Sequence, residues 1–481
     1  MPEPIHRRIS RERSAALPDA AMVRDYRSYA EGKQRATISA EQKAILGSVY
    51  GHEFADNVCD LILSTAASRL ELTGWRVDDE ATKTFLDDLY VKNQVADFSY
   101  DVHYSAPRDG NHAIGIRWLP DSTPKTAIDA NPETEAPETR GSGRVTIHHE
   151  PWWNGNDTGE GVFVAYDASG FPAYAVKDFT QVMGGDTGPV LTRRRRVIYW
   201  PDHFERYIHE GAGWSLMRLD SDPSTSPDGI VPWEKADGSP LGIPIIHVPN
   251  GRFGKAPYGV SDLAGGIMGQ QDHLNDLQWD LVAAARLTAF QMIAATGISS
   301  VEKLRVGPGR ILQAGSADAR FTPIPAGDLS QIINAIKQKL ESIARNSATP
   351  AHEITGGDWP SGVALLRSEI RFIGKIQRMA KTIGPAWATV AHRATEVANT
   401  FGGLGLNEDA LITAVFAPPE KLDALALAQV DKERVEVYAR LQDITDPELM
   451  AKTGLVTIEE ANAITAARQS RADAIASVAA F

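Results

Sequence analysis

The chain has 481 residues, 43% hydrophobic and 23% charged, with a formal net charge of −13 and a pI near 5.5. That composition supports roughly two to four globular domains, and its acidic balance excludes a freely diffusing, high-affinity DNA binder, which needs a basic footprint. Cys59 is the only cysteine, so neither an internal disulfide nor a cysteine-cluster metal site can form.

The opening residues, "MPEPIHRRISRERSAALPDA", lack the apolar core of a signal peptide. No apolar run reaches the roughly 20 residues that span a bilayer, so a cytoplasmic place of assembly and no membrane partner are expected. Residues 1–100 read mostly as helix: "AEQKAILGSVY" and "FADNVCDLILSTAASRL" carry apolar residues three and four apart, and "DDEATKTFLDDLYVKN" adds an acidic amphipathic stretch. From about residue 110 the period changes to alternation. "HAIGIRWL" and "RVTIHHEPWW" predict strands, separated by a Pro-, Thr- and Glu-rich hairpin insertion over 121–143. Further strands are expected in "GVFVAYDASGFPAYAVKDF", "RRRRVIYWPDHFERYIHEG" and "WSLMRL", with hairpin tips at "DASG" and "PDHF". "LGIPIIHVPN" predicts a short buried strand.

A long helix is then expected from Ser261 to Thr296, capped by Ser261 and striped by Leu263, Ile267, Leu274, Leu277, Leu281, Phe290 and Ile293. A small β-like module over Val301–Pro325 follows, and then a second helix with the stripe Leu329, Ile332, Ile336, Leu340 and Ile343. "GGDWPSGVALLRSEI" leads into a third helix, about Val363 to Phe401, with Leu366, Ile370, Ile373, Met379 or Ala380, and Ile383 as its stripe. The interior Gly384–Pro385 predicts a kink. The end reads as one strand followed by alanine-rich helices.

This order resembles the portal proteins of tailed double-stranded DNA phages, of the kind found in phages of Gram-positive hosts. Three stretches carry the resemblance: "YRSYAEGKQR" near Tyr26; "GKAPYGVSDLAGGIMGQQDHLNDLQWD", with Gly259, Ser261, Leu263, Gln271, Asp272, Leu274 and Asn275 at the family's places; and the "S-G-x-A-L" helix start at Ser361, Gly362, Ala364 and Leu365. The resemblance implies an α+β portal fold. Its parts are a wing (1–260, with the helix over 363–401), stem helices (261–296 and 328–348), a β-rich clip (297–327), a tunnel loop (349–362) and a helical crown (402–481). It also implies a homo-oligomeric ring, usually of twelve copies, at one capsid vertex of the virion. Double-stranded DNA would pass through that ring, driven by terminase. Terminase large subunit, a head-completion adaptor, and the major capsid and scaffolding proteins are the implied partners. Another phage head or connector component is the alternative, and an enzyme of unfamiliar fold the more distant one.

No catalytic residue, cofactor or metal is expected. The glycine-rich stretch before the third helix lacks the GxxxxGK[ST] of a phosphate-binding loop. Under the resemblance, Gly356, Gly357, Asp358, Trp359, Pro360 and Ser361 form a loop facing the DNA channel, where Asp358 repels phosphate; the plainer reading is a surface loop whose tryptophan packs on a neighbour. Lys303, Arg305, Arg310 and Arg320 are read as clip contacts to terminase or adaptor, or as clip–clip salt bridges. Arg367, Arg371, Lys375 and Arg378, spaced three and four apart, are read as subunit contacts in preference to phosphate contacts. The run Arg193–Arg196 is read as subunit contact or plain surface. His148 and His149 are adjacent on a strand, so they point to opposite faces and do not share an ion. Ser261 with Asp262 and His273 lacks a nucleophile elbow. Gly265, Gly266 and Gly269 are expected to allow close helix packing in a crowded ring.

Overall fold

The computed structural model of the chain describes residues 4–16, 20–34, 56–121, 141–155, 160–183, 191–211, 213–217, 230–251, 257–289, 293–296, 320–323, 328–356, 363–419, 462 and 465–466. The chain divides into two compact units, Met1–Pro419 and Glu420–Phe481. Nearly all described residues belong to the first. The helix expected at 40–50, all but residues 462 and 465–466 of the helices expected beyond 419, and most of the insertion between 121 and 143 lie outside the described residues.

Helices α1 (Ile5–Ala16), α2 (Ala20–Ala30) and α3 (Val58–Arg69) open the fold. Asn57 caps α3 by accepting from the Asp60 N–H. The helical expectation for residues 1–100 is then interrupted by β1 (Leu72–Val77), where Thr73, Trp75 and Val77 are β-prone residues on a short run. α4 (Glu80–Lys92), capped by Asp79, and α5 (Val95–Asp109) follow.

Two antiparallel sheets form the middle of the unit. β2 (Asn111–Pro120) and β3 (Gly143–Glu150) pair directly, so the 121–143 insertion does join a hairpin. β10 (Ile245–Pro249) flanks β2 on the other side and is buried throughout. The second sheet runs β4 (Gly161–Tyr166), β5 (Pro172–Met183), β6 (Leu191–Tyr199), β7 (His203–Glu210), β8 (Gly213–Leu216), with the short β9 (Ile230–Pro232) also pairing β7. Both expected hairpin tips are turns in this meander.

α6 (Ile267–Ala289) leads to β11 (Ile293–Thr296), which pairs with β12 (Arg320–Pro323) before α7 (Ser330–Ser347). The first long helix therefore starts six residues later than expected and gives way to a strand at Ile293. After a five-residue helix α8 (Ala351–Thr355) comes α9 (Val363–Gly402), 40 residues that run past Pro385 as one element. β13 (Ile412–Phe416) pairs with β1, so this strand closes onto the N-terminal part and falls within the first unit.

The largest core forms where α9 lies over β2, β3, β10 and β13. Its inner face is Phe372, Ile376, Met379, Ile383, Trp387, Val390, Ala394, Val397 and Phe401. Ile370, expected in the stripe, is 63% exposed. The phase follows Phe372 and Trp387, both buried in this core; the Arg69 guanidinium lies over the Phe372 ring, and Trp75 bonds to the Trp387 backbone. Two residues beyond Pro385, the Trp75 indole donates to the Trp387 carbonyl at 2.9 Å and ties α9 to β1.

His103 lies in this core, fully buried. Its Nδ1–H donates to the Leu70 carbonyl at 2.6 Å, and Nε2 accepts from the Trp387 indole at 2.9 Å. The acceptor role of Nε2 requires a neutral ring, and burial pushes its pKa down to about 4. A histidine held below its ordinary value stabilises the fold fully above about pH 6.5, and that stability is lost as pH falls toward the folded value. At about 1.4 kcal/mol per pH unit, His103 contributes roughly 3 kcal/mol of such loss. His112, pushed down to about 3 by burial and then by His149, acts in the same direction. The melting temperature followed by circular dichroism is therefore expected to drop steadily between about pH 6.5 and 4; a flat profile across that window contradicts this assignment.

Candidate functional site

The segment entering α6 is fixed by backbone contacts rather than by a helix cap. A Cβ on Gly259 would strike the backbone of Asn250 and Gly110, so only glycine fits there. The Gly259 N–H donates to Asn111 Oδ1 at 2.7 Å, which also accepts from His247 Nε2 at 3.0 Å. Ser261 Oγ donates to the Arg108 carbonyl at 2.6 Å and accepts from Leu263 N–H at 3.0 Å. Ser261 thus caps a turn, while the helix itself begins at Ile267. Gly265 and Gly266 take φ of +71° and +94°, the left-handed region that favours glycine, with open space around them within one chain.

Asp262 binds three elements together. Its N–H donates to the Pro107 carbonyl at 2.8 Å, and its Oδ1 accepts from Asn250 Nδ2 at 2.7 Å. Its Oδ2 lies 2.6 Å from Lys375 Nζ, and that ammonium also donates to the Ser347 carbonyl at 3.2 Å, in the last turn of α7. A cation at a helix C-terminus neutralises the dipole there. Lys375, read from sequence as a subunit contact, therefore ties the start of α6, the end of α7 and the middle of α9 within one chain.

One turn into α6, Gln271 Nε2 donates to the Asp56 carbonyl at 2.6 Å and to Asn275 Oδ1 at 3.0 Å. Asn275 Oδ1 accepts the Asp56 N–H at 3.3 Å. The Tyr29 hydroxyl donates to both carboxylate oxygens of Asp272, at 2.7 and 2.8 Å; burial and that carboxylate push its pKa well up. Tyr26, Ala30, Leu263, Ile267, Leu274 and Ile343 share one apolar cluster. Two sequence stretches more than 200 residues apart, around Tyr26 and around Gln271, thus meet face to face.

α8 is bounded by two left-handed residues, Ala348 at φ +54° and Gly356 at φ +61°. It is held by a buried charge cluster. Arg69 Nη2 donates to Glu369 Oε1 at 3.2 Å, Glu353 lies 4.0 Å from the same guanidinium, and His352 Nε2 is 3.6 Å from Glu369. Arg69 also donates to the Pro419 carbonyl at 3.0 Å. Neither Arg69 nor Glu369 stands out in the sequence; the signal available was an arginine ending a mostly buried helix.

Of the expected loop residues, Gly356 ends α8, while Gly357, Asp358, Trp359, Pro360 and Ser361 lie outside the described residues. Lys303, Arg305 and Arg310 also lie outside them, and Arg320 is exposed on β12. Arg371 and Arg378 are exposed on α9; Arg367 is in α9, with its side chain outside the described residues. In the run Arg193–Arg196 on β6, Arg193 is exposed, Arg194 and Arg195 are half-buried, and Arg196 is buried. Arg196 donates to both oxygens of Asp178 at 2.6 and 2.8 Å and stacks over Trp214, and Arg194 approaches Glu160 at 3.7 Å. His148 turns to Glu150 at 3.0 Å, whereas His149 stacks on Phe98 and faces His112, so the two diverge as the strand geometry dictates.

Among the described residues, no three His, Cys, Asp or Glu side chains gather to hold a metal ion, and no helix is long and apolar enough to cross a membrane. No protein-family model and no curated protein matches the chain. A solved structure described as the neck of a native GTA particle computed with C12 symmetry matches 80% of this chain and 83% of that chain, at 14% identity and a TM-score of 0.37. A match at that level is too weak to transfer a role.

Proposed function

We propose that this chain is a portal-type subunit: copies surround a channel at one capsid vertex, through which double-stranded DNA is packaged and later released. The observation that carries the reading is the junction at the start of α6. There the stretch around Tyr26 and the stretch from Gly259 to Asn275, both resembling portal sequences, interlock through Tyr29–Asp272 and Gln271–Asp56. From that junction rise two helices that bracket a strand pair, followed by a short linker helix and the 40-residue α9. In this reading α6 and α7 are the stem, β11 and β12 belong to the clip, and residues 349–362 form the loop that meets DNA. Terminase and a head-completion adaptor dock at the clip, and capsid and scaffolding proteins surround the wing.

A conduit works only if DNA does not stick. Each phosphate neutralised by a lysine or arginine adds binding free energy that translocation must overcome, and a chain of net charge −13 suits that demand. Negative-stain electron microscopy of the purified protein tests the reading: rings with a central hole are expected, and shells, sheets or featureless monomers contradict it. In an infected host, loss of the gene is expected to leave heads without DNA. Trp359→Ala is expected to leave ring assembly intact and to change DNA packaging or retention in a phage complementation assay. Normal packaging in that variant returns Trp359 to an ordinary surface role.

A further inference from the structure

β13 pairs with β1 along one edge, and among the described residues no strand lies along the other. Backbone groups alternate in direction along a strand. The Ala417 N–H donates to the Glu71 carbonyl at 2.9 Å, and the Val415 carbonyl accepts from Thr73 Oγ1 at 3.0 Å. The odd-numbered residues of β13 therefore face β1. Ile412, Ala414 and Phe416 turn their N–H and C=O groups the other way.

That open edge borders a groove. A cavity of about 690 Å³ lies between β13 and α9, lined mainly by apolar side chains. Its α9 wall is Ile376, Ala380, Gly384 and Ala388, four residues apart and so on one helix face. Three of the four are alanine or glycine, which keeps the wall low. Pro418 and Pro419 line the groove where β13 ends, and their missing N–H groups stop the strand there. Lys381 also lines the groove; it is exposed and makes no ion pair among the described residues. From Ile376 to Ala388 the helix rises about 18 Å, and the five residues of β13 rise about 17 Å.

The shape and the chemistry select the occupant. A helix seated in the groove would cover the outward backbone groups of β13 without bonding them, which is costly away from water. An extended segment bonds them, and its alternate side chains then point at the low wall of α9. We propose that this groove takes an extended segment of a partner protein, apolar at alternate positions, which adds a third strand beside β13 and sets a carboxylate against Lys381. Main-chain bonds supply its affinity, and the wall and the lysine supply its selectivity. This site is separate from the helix pair and does not rest on the ring reading.

The test pans the full-length protein against a displayed library of random twelve-residue peptides. Enriched peptides are expected to alternate apolar residues and to carry an acidic one. A synthetic copy of the strongest is then measured by fluorescence anisotropy. Lys381→Glu is expected to weaken it at least tenfold, and a peptide with lysine in place of the carboxylate is expected to recover binding on that variant. Ala414→Pro removes one outward N–H and leaves the β1 side of the strand intact, so it is expected to abolish binding. Methylating alternate amides of the peptide reads strand addition without altering the protein: one set abolishes binding and the other does not. The proposal is overturned if no peptide is enriched, if enriched peptides ignore both variants, or if both methylated sets bind equally. Self-association of the wild-type chain that both variants abolish assigns the groove to a second copy and equally overturns it. Rings scored by electron microscopy decide the portal reading separately.

Discussion

Replacing Trp387 by alanine is expected to lower the unfolding free energy by about 5 kcal/mol. Its side chain is fully buried at the centre of the α9 face, among Trp75, Ile383, Val390 and the β13 strand. Truncating a buried aromatic costs about 3–5 kcal/mol by transfer and cavity formation. Here the loss also strips His103 Nε2 of its donor, the one among the described residues, leaving a buried acceptor unpaired at a further cost of about 1–3 kcal/mol. Urea unfolding followed by circular dichroism measures the total. Trp387→Phe separates the two contributions, since it keeps most of the ring volume and loses the N–H; about 2 kcal/mol is expected for it. A Trp387→Ala loss under about 2 kcal/mol contradicts the placement of this side chain.

The second large effect is expected at Arg69. Arg69→Met keeps the aliphatic stem and removes the charge, leaving Glu369, only 2% exposed, beside Glu353 with no guanidinium between them. Breaking a buried pair by removing one partner costs about 3–5 kcal/mol, because the remaining charge stays in the low-dielectric interior. The double variant Arg69→Met, Glu369→Gln is expected to recover more than half of that loss, since no buried charge is then stranded. A double variant as unstable as the single one shows that Arg69 acts through its bond to the Pro419 carbonyl instead. The same chemical denaturation experiment reads both outcomes.

Local pattern made much of this fold legible. The alternation in "HAIGIRWL" and "RVTIHHEPWW" placed β2 and β3, and the turns at "DASG" and "PDHF" placed two hairpins of the second sheet. What escaped the sequence was decided by distant partners. Residues 72–77 form a strand because β13 supplies their hydrogen bonds from 340 residues away in the chain, and no local period announces that. The stripe on α9 was misphased at Ile370 because the buried face runs through Phe372, Ile376 and Trp387 instead. Ser261 looked like a helix cap, and its bond to the Arg108 carbonyl is invisible without the α5 helix in place. Lys375 read as one more surface base in a series, yet Asp262 and the end of α7 absorb it. The arginines on either side of it keep the exposure that an outward-facing role requires.

The pairing of β1 with β13 bears on how the protein is made. β1 leaves the ribosome early, but its partner is synthesised only after the whole of α9. Until then β1 is an open edge, and open edges invite pairing with other chains. At about 5–20 residues per second, the roughly 340 residues between them leave that edge unsatisfied for about 17–70 seconds of translation. Contacts separated by so much chain also slow the final folding step. A polypeptide released before residue 412 would keep the exposed edge permanently, so premature termination ahead of the last seventh of the message is expected to yield aggregates, not a smaller folded domain.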